Sequence, residues 1–263
     1  MTQTDKVFSR KDGNVGTLVF NNPERHNAMS LEMWEGCTRA MDGFAADPEI
    51  RVVVLTGAGD KAFIAGADIS KFGDERASED AVRRYNAAVE AAYVSVHEFP
   101  KPTIAMIRGF CVGGGMGLAS CCDLRICSED ARFAVPAAKL GLGYGYAGVK
   151  RLIDLVGPSF TKEIFFTARQ FNAMEAVEMG LVNRMVENHE LEFYVKDYAA
   201  MIAANAPLTV DSIKFIVGEA VKDEIRRDMK RCEDLVEACF RSADYEEGRT
   251  AFMEKRKPLF RGR

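Results

Sequence analysis

Hydrophobic positions along the first half of the chain switch repeatedly between two spacings. Val15 to Phe20 reads as a strand, and Asn21-Asn22-Pro23 turns the chain behind it. Ser30 is placed to cap a helix whose apolar positions Leu31, Trp34, Thr38, Met41 and Ala45 recur every three or four residues. Arg51 to Thr56 is a β-branched apolar run ended by Gly57, the pattern of a strand covered on both faces. Ser78 opens a second helix with Val82, Tyr85, Val89, Ala92, Val96 and Phe99 on one stripe, and Pro100 and Pro102 stop it. Thr103 to Ile107 and Leu124 to Cys127 are two more short buried strands. The pattern predicts an α/β chain. Beyond about Val149 strand signals nearly vanish, and helical stretches follow, punctuated by Gly157-Pro158, Gly180, Pro207 and Gly218. The expected division is therefore a core over residues 1–190 and a helical region over 191–263, whose last segment runs from Asp244 to Lys257 and ends at Pro258.

Composition narrows the classes. Apolar residues at 48% of 263 supply a sizeable core, and a net charge of −4 gives no footprint for nucleic acid or an anionic membrane. The polar start, Met1 to Asp5, shows neither a signal nor a transit peptide, and no apolar run reaches membrane-spanning length. Seven cysteines scattered through apolar stretches, without CxxC or Cys/His metal spacing, read as reduced buried thiols of a cytoplasmic protein. His26, His97 and His189 show no ligand spacing, so no metal is expected.

Two glycine-containing loops carry the candidate chemistry, each following a buried strand. The first is Ala62-Phe63-Ile64-Ala65-Gly66-Ala67-Asp68-Ile69, and the second runs from Gly109 through Gly113-Gly114-Gly115 to Ala119. Three glycines opening a helix leave backbone N–H groups uncovered where the helix dipole favours negative charge. Such donors suit a carbonyl oxygen that becomes an oxyanion, each worth about 3 kcal/mol of barrier. The rival motifs fail on spacing: counted from Gly113 the sixth position of a dinucleotide fingerprint is Leu118, and no Gly-Lys-Ser/Thr ends the loop. No Gly-x-Ser-x-Gly elbow occurs either.

Taken together these segments resemble the crotonase (enoyl-CoA hydratase/isomerase) superfamily. The resemblance rests on Asn22-Pro23 with Asn27-Ala28-Met29, the loop from Ala62 to Ile69, and Lys101-Pro102-Thr103-Ile104-Ala105 leading to Gly113-Gly114-Gly115 and Cys122-Asp123. Gly180-Leu181-Val182 and Phe252 to Pro258 continue it over nearly the whole chain. It implies a spiral of ββα turns, a C-terminal helical region that builds homotrimers or dimers of trimers, and an acyl-CoA thioester as substrate with no further cofactor. It implies an oxyanion hole at the N–H groups of Ala67 and Gly114. It puts Arg25 in the CoA-binding turn and Ala65, Asp68 and Ile69 in the strip along adenine and pantetheine. Phe252 and Lys255 match positions that reach the CoA of a neighbouring subunit. The Asp68 carboxylate itself reads as a cap for the segment after the first loop.

One departure changes the picture. The hydratases of this family move protons with two glutamates, and the matching positions here are Gly117 and Ala137, neither of which can do so. Beside the second of these, Lys139 to Gly148 sets Tyr144 and Tyr146 amid glycines. This stretch is similar to the family's methylmalonyl-CoA decarboxylases, in which Tyr144 matches an active-site tyrosine; the histidine of their first loop is Ala67 here. Met116, Phe133, Leu142 and Tyr146 are the candidates for shaping an acyl pocket. Three readings stay open: an acyl-CoA lyase or isomerase with unusual proton chemistry, a decarboxylase of a malonyl-type CoA, and a catalytically inactive acyl-CoA-binding protein.

Overall fold

The computed structural model describes residues 5–75 and 77–263; the polar stretch 1–4 lies outside the described residues. An antiparallel pair, β1 (Val7–Asp12) and β2 (Val15–Phe20), leads into α1 (Leu31–Ala46). Three strand–strand–helix turns follow. The first holds β3 (Val52–Gly57), β4 (Ala62–Ile64), the short α2 (Phe72–Glu75) and α3 (Glu79–His97). The second holds β5 (Thr103–Ile107), β6 (Phe110–Val112) and α4 (Gly114–Cys121). The third holds β7 (Leu124–Ser128), β8 (Arg132–Ala134) and α5 (Tyr146–Thr167). Each turn gives one strand to a six-stranded sheet, β1-β2-β3-β5-β7-β10, and one to a four-stranded sheet, β4-β6-β8-β9. The chain therefore winds as a spiral.

Side-chain alternation explains the long strands. Val53, Leu55, Ala105, Ile107 and Cys127 point into the main core, which includes Met33, Trp34, Cys37 and Met41 of α1. Val52, Val54, Ile104 and Ile126 point the other way. A parallel sheet needs cover on both faces, which is why these strands are apolar throughout. Serine caps start both early helices: Ser30 Oγ accepts from Met33 N–H and Ser78 Oγ from Ala81 N–H. In α1 the buried stripe is Met33, Trp34, Cys37, Met41 and Phe44, shifted from the expected one, and Ala45 is exposed.

After residue 149 the expected loss of strands is only partial. Past α5, which bends where Gly157 (φ 73°) precedes Pro158, β9 (Phe171–Asn172) pairs with β8. A capping box between Asn172 and Glu175 opens α6 (Ala173–Glu178), and β10 (Arg184–Val186) closes the edge of the six-stranded sheet beside β7. Strands of two or three residues leave no period to read.

The helices α7 (Leu191–Ala204), α8 (Pro207–Ala220), α9 (Met229–Arg241) and α10 (Ala243–Glu254) complete the chain. Leu191, Val195, Ala199 and Ala203 of α7 lie on Val52, Val54, Ile104 and Ile126, so this helix seals the outer face of the six-stranded sheet. The tail then returns to the core: Arg51 donates to the carbonyls of Ala203 (2.9 Å) and Phe260 (2.7 Å). Among the described residues no single helix is long and apolar enough to cross a membrane.

Candidate active site

Gly66 and Gly113 bring the two glycine loops together. Gly113 has φ 55° and ψ −113°, a conformation that side chains rarely adopt, and a Cβ built on it would lie 3.8 Å from the Gly66 Cα. Gly66 has φ 115°, and a Cβ there would lie 3.7 Å from the Val112 carbonyl oxygen. Gly115 has no room at all, because its Cβ would meet the Ile64 carbonyl oxygen at 2.3 Å. The helix α4 can start this close to β4 only on glycine.

The hydrogen bonds around the loops leave two donors uncommitted. Met29 N–H donates to the Gly66 carbonyl (2.8 Å), and Asp68 N–H donates to the Met29 carbonyl (2.9 Å). This one-bridge parallel pairing straddles Ala67 and uses neither its N–H nor its C=O. Gly113 N–H donates to the Ala134 carbonyl (2.9 Å), whereas Gly114 is the first residue of α4 and has no intrahelical acceptor. Among the described residues, neither Ala67 N–H nor Gly114 N–H donates to a protein group. Both residues are partly open to solvent.

The first loop is braced from behind by two buried asparagines. Asn27 donates to the carbonyls of Ala58 (2.9 Å) and Ala62 (2.8 Å) and accepts from Asn22 N–H (2.9 Å). Asn22 donates to the Ala28 carbonyl (3.0 Å). Arg25 sits on the turn between them, 54% exposed, with Nη1 3.7 Å from Asp68 Oδ1. That same oxygen accepts from Ser70 N–H (3.1 Å) and Ser70 Oγ–H (2.6 Å), holding the turn after the loop. Ala65 N–H is used by the His26 carbonyl (3.0 Å), and Ile69 is 69% exposed beside them. Arg25, Ala65, Asp68 and Ile69 therefore lie along one rim next to Ala67. Phe252 (82% exposed) and Lys255 do not join them within one chain: both belong to the α10 end, which packs on α9.

Gly117 and Ala137 are occupied by no carboxylate, and the space beyond Gly117 is filled from another element. A Cβ on Gly117 would lie 2.5 Å from the hydroxyl oxygen of Tyr93 on α3 and 2.8 Å from its Cζ. Tyr93 Oη donates to the Gly114 carbonyl at 3.2 Å. Trp34 meets its ring edge-on at 5.5 Å, and the Arg151 guanidinium stands 5.2 Å over it. Burial, with Tyr144 and Cys121 nearby, pushes the Tyr93 phenol well above the usual tyrosine range, against the pull of Arg151. Tyr144 is half-buried, packed edge-on against Phe165 (4.8 Å) and over Gly148, and burial raises its phenol too. Arg151 Nε is buried with no acceptor among the described residues.

The other pocket expectations are corrected. Met116 and Phe133 are buried in the main core, and Tyr146 and Leu142 are exposed, so these four form no common wall. Tyr93 and Arg151 are the residues that sequence reasoning missed. Tyr93 lies eight positions after Tyr85 and beside Ala92, and Arg151 follows the tyrosine-glycine stretch by a few residues; that offset was the available signal.

A spiral of strand–strand–helix turns that sets two free amides beside each other defines the crotonase class of α/β protein. The chain belongs to the enoyl-CoA hydratase/isomerase family, whose profile matches residues 10–263. It is 36% identical over 256 residues to a crotonyl-CoA hydratase of Syntrophomonas wolfei, covering 97% of this chain and 98% of that one. It is 32% identical over 264 residues to a carnitinyl-CoA dehydratase of Salmonella enteritidis, covering 99% of this chain and all (100%) of that one. Its structure superposes on that of an enoyl-CoA hydratase/carnithine racemase of Magnetospirillum magneticum with a TM-score of 0.92 and 35% identity, over 99% of this chain and 97% of the other.

Proposed function

We propose that this enzyme binds an acyl-CoA thioester and stabilises its enolate with the N–H groups of Ala67 and Gly114, without the paired carboxylates of the hydratases. The observation that carries the proposal is the uncommitted state of those two amides on adjacent loops, whose glycines leave no more than a side chain's room between them. Developing charge on a thioester oxygen gains most from donors that need no rearrangement. Arg25 and Lys255 supply cations for the CoA phosphates, the backbone from Ala65 through Asp68 to Ile69 lines the adenine and pantetheine, and Phe252 serves a neighbouring subunit. The last role fits a homotrimer or a dimer of trimers, as do the exposed Ile225, Phe240, Phe252 and Met253 of the C-terminal region, residues 191–263. Seven unpaired thiols fit a reducing, cytoplasmic setting.

A second reading, decarboxylation of a malonyl-type CoA, is favoured by Arg151. Its buried Nε–H lacks an acceptor, and a carboxylate on the acyl group is the partner that such a donor suits. Loss of carbon dioxide creates the enolate without any base, so the absence of both glutamates harms this chemistry least. Tyr144 would then orient that carboxylate.

The test is incubation of the protein with a mixed acyl-CoA library and mass spectrometry of the products. Gain of water means hydration, loss of carbon dioxide means decarboxylation, and an unchanged mass with a new retention time means isomerisation. Tight binding with no product from any thioester would refute the catalytic reading in favour of a binding protein.

A further inference from the structure

Where the hydratases carry their first glutamate, this chain places a phenol instead of nothing. The Tyr93 hydroxyl oxygen occupies the position into which a side chain at residue 117 would project, 2.5 Å from its Cβ. The same oxygen is 3.7 Å from a Cβ built on Gly114 and hydrogen-bonded to the Gly114 carbonyl. It thus stands over the first turn of α4, next to the residue whose N–H is one of the two free donors. The 3.2 Å bond goes to a carbonyl that also serves the first turn of the helix, so the hydroxyl can turn from it at little cost.

We propose that Tyr93 is the proton donor to the α-carbon of the thioester enolate. This rests on the oxyanion reading of Ala67 and Gly114. In the step, the enolate electron pair takes the phenolic proton, so a C–H bond forms and the Tyr93 O–H bond breaks. The pair from that O–H bond stays on the phenolate oxygen. The enolate oxygen gives up its charge to restore the thioester carbonyl, and water returns a proton to Tyr93. Arg151, over the ring at 5.2 Å, stabilises the transient phenolate. Burial and the nearby Tyr144 hold the resting phenol in its protonated form, the form that a donor requires. An enolate carbon is a far stronger base than a phenolate, so the transfer runs downhill. Tyr144 packs over Gly148 and against Phe165.

Two probes separate this role from the reading beneath it. A dienoyl thioester, 2,4-hexadienoyl-CoA, reports carbonyl polarisation through the red shift of its absorbance. Butyryl-CoA in deuterium oxide, at high enzyme and at an alkaline pD that leaves a share of Tyr93 as phenolate, reports proton traffic through uptake of deuterium at the α-carbon. By microscopic reversibility the phenolate takes the α-proton, exchanges it with solvent and returns deuterium. The wild-type protein is expected to give both signals. Tyr93→Phe should keep the red shift and the melting temperature and lose exchange about a hundredfold or more, within the usual range for a general acid–base group. Exchange undiminished in Tyr93→Phe would overturn the assignment. So would a wild-type protein that polarises hexadienoyl-CoA but exchanges nothing. Loss of the red shift in Tyr93→Phe would show a prop for the Gly114 amide instead of a proton donor, and would overturn it as well. Neither signal in the wild type would overturn the oxyanion reading itself.

Discussion

Substituting Gly117 with alanine sets two effects of opposite sign against each other. In a helix interior alanine is better than glycine by about 1 kcal/mol. Against that, the new Cβ would stand 2.5 Å from Tyr93 Oη, 2.8 Å from Cζ and 3.4 Å from Cε1, so a whole ring edge is in the way. The ring cannot swing freely, because Trp34 closes one side and Arg151 the other. Overpacking of this kind costs about 1–3 kcal/mol. The cost outweighs the propensity gain, leaving a net loss of about 0–2 kcal/mol. In a Tyr93→Ala background the obstacle is gone, and the same Gly117→Ala change should stabilise by about 1 kcal/mol. The predicted coupling is therefore about 1–3 kcal/mol, well above the about 0.3–0.5 kcal/mol within which independent sites add. Thermal unfolding of the four proteins at one concentration measures it, at about 2–4 °C per kcal/mol for a chain near this size. Additive shifts across the cycle would mean that Tyr93 does not lie over Gly117, and the proton-donor assignment would fall with it.

Gly114→Pro removes one donor at the first helical position, where its Cβ would also stand 3.0 Å from the Trp34 ring, and should lower turnover of any thioester at least about 10²–10³-fold; undiminished turnover in a steady-state assay would exclude Gly114 from the oxyanion hole. Arg25→Gln should raise KM for acyl-CoA about tenfold with kcat nearly unchanged, and Lys255→Asn, chosen because position 255 has φ 55°, should do so only if the protein sediments as three or six chains. Glu247 accepts from Arg256 (2.6 and 2.9 Å) and Leu259 N–H (2.7 Å), chiefly Arg256 pulling its carboxyl down to about 2. A depressed acid contributes above its ordinary pKa near 4.5 and loses that contribution as pH falls toward 2, so the protection of the amides of residues 256–261, taken as exchange relative to the intrinsic rate at each pH, should fall through that window and hold steady between pH 5 and 8.

How much of this was legible in the sequence depends on length of signal. The serine caps at Ser30 and Ser78 and the β-branched run before Gly57 are each long enough to carry a period, and their elements stand where expected. The four-stranded sheet was invisible, because Ala62–Ile64, Phe110–Val112 and Arg132–Ala134 are three-residue strands with no alternation to read. At the site, Ala67 and Gly114 were expected from the family resemblance, on the two loops that the glycines single out, whereas Tyr93 was not expected at all. A side chain that reaches a loop from a helix two elements earlier leaves no local pattern. Its trace at the site itself is the room kept at Gly117, which a single sequence shows as one more glycine.

The seal that α7 forms over Val52, Val54, Ile104 and Ile126 has a consequence for how the chain comes off the ribosome. Those four side chains belong to strands made early, yet their cover is residues 191–204, made after every strand. For most of translation the finished half of the sheet must carry a bare apolar face, the kind of surface that draws chaperones and invites aggregation. Ribosomes paused before residue 204 should therefore hold chains that bind a hydrophobic dye and are cut readily by protease, and release past it should end both.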